Sequence, residues 1–217
     1  MQERNVYRLA GHFVRSKLRR LFGPGKLRRA ASSPPIRLVI GASGVSQPNW
    51  TVTNIEYLNI TMERHWERYF SPGTIHAMLA EHVWEHLSAA DAIEATRLCR
   101  LYLRPGGYLR VAVPDGFHPD PRYIEYVKPG GTGPGASDHR SLFTYKTFRA
   151  LFENAGFIVN LLEYFDEHGK FHFVEWSTAE GLINRSRLFD ERNASGSLNY
   201  TSIILDASVP SGPVNAH

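Results

Sequence analysis

The chain has 217 residues, 42% of them apolar, and a single cysteine, Cys99. That suffices to bury one sizeable core and hardly two, excludes an internal disulfide framework, and fits a reducing cytosol. The formal net charge of +4 is uneven: nine basic residues and one acid, Glu3, precede Pro34, whereas sixteen basic and twenty acidic residues follow it. The basic character therefore belongs to an N-terminal arm and not to a nucleic-acid-binding surface on the domain. No run approaches the roughly 18 consecutive apolar residues needed to cross a bilayer.

Along the chain, Val6, Leu9, Phe13, Val14, Leu18 and Leu21 recur at helical spacing, with Arg4, Arg8, Arg15 and Arg19 mostly on the other side. Gly23-Pro24-Gly25 is expected to end this helix, and Ser32-Ser33-Pro34-Pro35 reads as a linker, which sets an arm over 1–35. Such a helix suits an anionic membrane surface. Docking on the protein's own body, a frayed tail or an organelle transit peptide are the alternatives. From Ile36 onward strand and helix patterns alternate, with strands expected at 37–40, 51–55, 75–80, 108–113, 158–164 and 200–205. Helices are expected at 63–69, 89–103 and 146–155. Alternation of this kind predicts a mostly parallel sheet with helices on both faces, here over 36–207, followed by a disordered tail at 208–217. The glycine- and proline-rich stretch 128–135 reads as a long loop over one end of the sheet.

Several polar groups fall at predicted strand ends. Gly41-Ala42-Ser43-Gly44 follows the first core strand directly, where a glycine turn lets backbone approach a ligand. In Thr53-Asn54-Ile55-Glu56, Asn54 and Glu56 point the same way, and a carboxylate there can accept from two hydroxyls at once. Ala80-Glu81-His82 closes the third strand. His82-Val83-Trp84-Glu85-His86 has two histidines four apart with an acid between them, a zinc-binding pattern when on a helix. A zinc site needs a third protein ligand, and this motif follows a buried-looking strand, so a ligand-facing wall or core packing is read instead and no metal is expected. Asp115 and His118 follow the 108–113 strand, placed to orient or deprotonate a substrate hydroxyl or amine. Alternatively they cap the next turn and sit in solvent. Asp138-His139, after the glycine loop, is a second such pair. Arg187, Asp190, Glu191 and Arg192 either bind an acidic or sugar-like substrate or form a salt-linked surface connector.

In order and spacing these features resemble the class I S-adenosylmethionine (SAM)-dependent methyltransferases. The segments AEHVWEHL, LRPGGYLRVAVPDG, FDERN and YTSIILDA resemble a family of small bacterial SAM-dependent methyltransferases of the methyltransferase type 11 kind. The resemblance covers about 37–207. It implies an α/β, Rossmann-like seven-stranded sheet, mostly parallel with an antiparallel last strand. It implies S-adenosyl-L-methionine as cofactor, held by Gly41, Ala42, Ser43, Gly44, Asn54, Glu56, Ala80, Glu81 and His82. The family's ribose-binding acid falls at Asn54, so Glu56 is expected to accept with Asn54 assisting. Also implied is methyl transfer to an oxygen or nitrogen of a small molecule or glycan, with Asp115, His118 and His139 as catalytic candidates. A cytoplasmic protein is expected, with peripheral contact to the inner face of a membrane through the arm. The rival reading is a non-catalytic protein of the same fold, acting as a membrane-associated binding module. RNA methylation is disfavoured, since the domain lacks a basic stripe and an Asn-Pro-Pro-Tyr-type motif.

Overall fold

A computed structural model describes residues 20–41 and 46–212. Strands β1 (Arg37–Ile40), β2 (Thr51–Val52), β3 (Ile75–Glu81), β4 (Leu103–Pro114), β5 (Ile158–Phe165), β6 (Phe171–Phe173) and β7 (Ser202–Ser208) form one sheet. Its order is β2-β1-β3-β4-β7-β5-β6. β1 to β4 pair in parallel, β7 inserts antiparallel between β4 and β5, and β6 returns antiparallel at the edge. The mostly parallel sheet with an antiparallel strand near its end is the one expected. β2 is shorter than predicted. The Asn54 carbonyl already accepts from Tyr57 and Leu58, which turns the chain out of the ladder.

Period-two alternation sorts the sheet into two faces. Leu38, Ile40, Met78, Ala80, Leu109, Val111 and Leu205 point to one face, where they meet α3 (Ala89–Tyr102), α5 (Tyr145–Asn154) and the short α2 (Glu63–Glu67). Both long helices start where the sequence supplies caps. Ser88 accepts from Asp91 N, and Thr144 and Thr147 form a reciprocal capping box. A helix over residues 20–31, α1, joins the same face. It runs through Gly23-Pro24-Gly25 instead of ending there. Leu27 is fully buried in the core, and a Cβ on Gly23 would fall 2.4 Å from the Tyr57 ring, so glycine permits this close docking. The rest of the predicted arm helix, 1–19, lies outside the described residues. No helix among the described residues is long and apolar enough to cross a membrane.

Val39, Ala77, Leu79, Ala112 and Ile204 point to the other face, covered by Trp50 and by the connection from β6 to β7 with its Trp176 and Ile183. Arg110 anchors that connection. Its guanidinium makes a bidentate pair with Asp206 (2.8 Å each) and donates to the carbonyls of Ser177 (2.7 Å) and Gly181 (2.9 Å). It also reaches Glu180 and lies 5.0 Å from the Trp176 ring. Glu163, nearly fully buried, adds a second anchor by accepting from Trp176 Nε1 and Arg187 N. At the C-terminal end, Ser208 completes β7 and Val209 is buried, so the ordered fold extends past residue 207; 213–217 lie outside the described residues.

Candidate functional site

From β1 the chain passes to β2 on one side and then to β3 on the other. This reversal splays the connections apart at the carboxyl ends of β1 and β3, the place where open α/β sheets form a crevice. A cavity of about 300 Å³ opens there. Gly41 lies on its wall with φ +64, and a Cβ at that position would meet Val83 Cγ2 at 2.7 Å. Left-handed backbone and lack of space both demand glycine. Ala42, Ser43 and Gly44 lie outside the described residues.

The opposite wall is the end of β3. Glu81 accepts from the backbone N of Asn184 (3.1 Å) and Arg185 (2.8 Å), and from both side chains. Its carboxylate is thus occupied in holding the 184–185 segment over the cavity. His82 follows with φ +55, unusual for a residue with a Cβ. Its Nε2 lies 3.0 Å from Ser202 Oγ, whose own hydroxyl donates to the Arg185 carbonyl at 2.7 Å; Nε2 is therefore the donor. The His82 Nδ1 stands 3.0 Å from Glu85 Oε1. Ala80, by contrast, points into the core beside Met78 and not into the cavity.

Beyond β3, the 3-10 turn Trp84–His86 presents Glu85 and His86 to the cavity, and the loop after α4 (Pro121–Val127) presents His139. These segments are clamped together, since Arg140 N and Ser141 N both donate to the Glu85 carbonyl (2.7 and 3.2 Å). The His86 and His139 rings meet edge to face with centroids 4.7 Å apart. His139 Nδ1 donates to the Val127 carbonyl at 2.6 Å, leaving Nε2 with a lone pair. Glu85 is fully buried, which pushes its carboxyl up. The charge and hydrogen bond of His82, helped by His86, outweigh that and hold it below the usual carboxylate value. The last wall holds Arg185, Arg192 and Tyr200. Arg192 makes a bidentate pair with Asp190 and lies 3.3 Å above the Tyr200 ring; burial pushes that phenol up to about 12.

Of the residues singled out by sequence, Gly41, Glu81, His82, His139 and Arg192 line the cavity, while Asn54 and Glu56 do not among the described lining residues. Asn54 is buried past the end of β2. Asp115 is fully buried: its oxygens accept from Phe117 N (2.9 Å) and Phe165 N (2.7 Å), tying the end of β4 to β5. That burial raises its carboxyl to about 6 against the pull of the two amides. His118, 5% exposed, stacks on Tyr123 at 3.9 Å, and burial lowers its pKa. Neither Asp115 nor His118 opens on this cavity, so the catalytic expectation for both gives way to packing. Glu85, His86, Arg185 and Tyr200 were missed as wall residues, although the His82-x-x-Glu85-His86 spacing had marked two of them.

No protein-family model and no curated protein matches the chain. Solved structures do. A SAM-dependent methyltransferase from Archaeoglobus fulgidus is 14% identical with a TM-score of 0.48, over 87% of this chain and 94% of that one. A SAM-dependent methyltransferase from Thermotoga maritima is 13% identical with a TM-score of 0.48, over 93% and 96%. The YcgJ protein from Bacillus subtilis is 13% identical with a TM-score of 0.44, over 87% and 98%. By its own strand order and directions, this chain has a Rossmann-like seven-stranded sheet, mostly parallel, with β7 antiparallel between β4 and β5.

Proposed function

We propose that the chain is a SAM-dependent methyltransferase that methylates an oxygen or nitrogen of a small molecule or glycan. The observation that carries this reading is the cavity at the switch point between β1 and β3, with Gly41 on its wall. Ligands of open α/β sheets gather at such a point, and the volume falls at the lower end of the range for small-molecule sites. The residues fit the cofactor in kind. Gly41 admits close approach of backbone, and Arg185 and Arg192 supply guanidinium groups for a carboxylate.

When bound, the cofactor supplies an activated methyl group on a sulfonium. The chain's part is then alignment and proton handling. Glu81 and Arg110 hold the 174–192 connection so that Arg185 and Arg192 face the cavity. His139, fixed by Val127, turns the lone pair of Nε2 away from that carbonyl, where it can take a proton from an acceptor hydroxyl or amine.

Calorimetric titration with S-adenosylhomocysteine tests this. One-to-one micromolar binding is expected, lost in Gly41→Val and weakened in Arg185→Ala, with folding of each variant checked by circular dichroism. Failure of the wild-type protein to bind at millimolar ligand would sink the cofactor assignment and favour a non-catalytic protein of this fold.

A further inference from the structure

We propose that Glu85, His86 and His139 form a binding site for one divalent transition-metal ion, zinc by its donor set, on the wall of this cavity. One ligand atom from each residue lies within 4.8 Å of the other two, and all three residues line the same cavity. The His82-x-x-Glu85-His86 motif needs a third protein ligand from elsewhere in the chain. The fold supplies it from the far side of the glycine loop. His82 does not take part, since its Nε2 is committed to Ser202.

Two further observations point to a ligand. Glu85 is fully buried, and among the described residues neither carboxylate oxygen has a hydrogen bond of full geometric quality; its charge is held by the His82 contact at 3.0 Å, its own backbone amide and the nearby His86. A buried carboxylate with lone pairs left over is costly, and a cation satisfies them. His139, in turn, has the arrangement typical of a metal-bound histidine. One ring nitrogen donates to a backbone carbonyl, which fixes the tautomer and points the other lone pair outward.

The donor set narrows the ion. Two imidazoles and one carboxylate suit zinc and its first-row neighbours better than magnesium or calcium, which prefer all-oxygen shells. Zinc bonds of about 2.0–2.1 Å place tetrahedral ligand atoms about 3.3 Å apart. The ligand atoms now lie within 4.8 Å of one another, so binding would require the three side chains to draw together. Three protein ligands would leave a fourth position open, on a site whose three residues all line the cavity. There a metal would polarise an acceptor hydroxyl and make it a better nucleophile, and with His139 Nε2 on the metal this would replace direct proton transfer to that histidine. That role rests on the proposed methyl transfer; the binding of metal does not.

The test uses the untagged full chain, loaded with zinc and desalted, with metal content read by elemental analysis. Cobalt(II) serves as a spectroscopic probe. One zinc per chain is expected, with a visible cobalt spectrum of low coordination number. His86→Ala and His139→Ala should each weaken zinc binding by at least about tenfold, the scale seen when even an outer-shell partner is lost. His172→Ala, at the far edge of the sheet, should leave it unchanged, and circular dichroism confirms that each variant folds. A wild-type chain that retains no zinc overturns the proposal, as does zinc that survives both cavity substitutions. The two readings separate cleanly. Zinc without S-adenosylhomocysteine binding keeps this site and sinks the cofactor, and the reverse outcome sinks this site alone.

Discussion

Arg110 and Glu85 are both buried charges beside the sheet, but their surroundings differ. Arg110 has five N–H donors and finds an acceptor for each: two on Asp206, the Ser177 and Gly181 carbonyls, and a longer contact to Glu180. Glu85 has a single ionic partner, His82, and oxygens that lack aligned donors among the described residues. The first cluster is a closed network that pins a long irregular connection across the sheet. The second is an open one at a ligand crevice. A saturated buried charge buys rigidity, while an unsaturated one keeps capacity for a proton, a metal or a substrate.

Breaking the closed network should have the largest effect. Asp206→Ala leaves Arg110 buried without its carboxylate, and the expected loss is about 3–5 kcal/mol of unfolding free energy. Chemical denaturation measures it, and a loss below about 1 kcal/mol would mean that water reaches the guanidinium. The Trp176 fluorescence should shift in the same variant, since its ring packs 5.0 Å from Arg110.

Asp115 sharpens the comparison, being a buried carboxylate with amide donors but no cation. Its folded pKa, about 6, lies above the unfolded value of 3.8. Its contribution to stability is therefore fully present below pH 3.8 and is lost as pH rises through 6. The shift corresponds to at most about 3 kcal/mol. In Asp115→Asn that slope should vanish between about pH 4 and pH 7, at the cost of one amide acceptor for Phe165. Denaturation at a series of pH values, wild type against variant, isolates this contribution. Parallel curves would show that Asp115 does not titrate in this window.

How far the sequence foretold this contrast depends on the distance between partners. The main strand positions, the glycine turn at 41 and the two long helices were legible, because each rests on neighbours within a few residues. The short α4 was missed: seven residues opening with Pro121 look like loop, and only the Asp120 cap marks its start. Arg110 was read as an ordinary strand residue, since nothing local announces that its partner is Asp206, brought alongside by the antiparallel register of β4 and β7. The same holds for His139. Its proximity to His86 exists only once Glu85's carbonyl has clamped Arg140 and Ser141. Asp115 and His118 misled because position at a strand end is shared by residues that face a crevice and residues that face the core.

The smallest effect on stability should come from the open cluster. Glu85→Gln keeps the side chain's shape, removes its charge and leaves a neutral contact with His82 Nδ1 in place of an ion pair. A cost of about 1–2 kcal/mol is expected, the scale of one compromised buried polar contact. The acid side of the profile should also change. Glu85 is held below its unfolded value of 4.5, so its contribution is present above that pH and is lost as pH falls through the folded value. The glutamine variant should lack that loss. Its zinc retention should fall far more than its stability, because a neutral amide oxygen is a poor substitute for a carboxylate ligand. A variant that unfolds as readily as Asp206→Ala would place Glu85 among the closed networks. One that keeps its zinc would leave the two histidines to hold the ion alone.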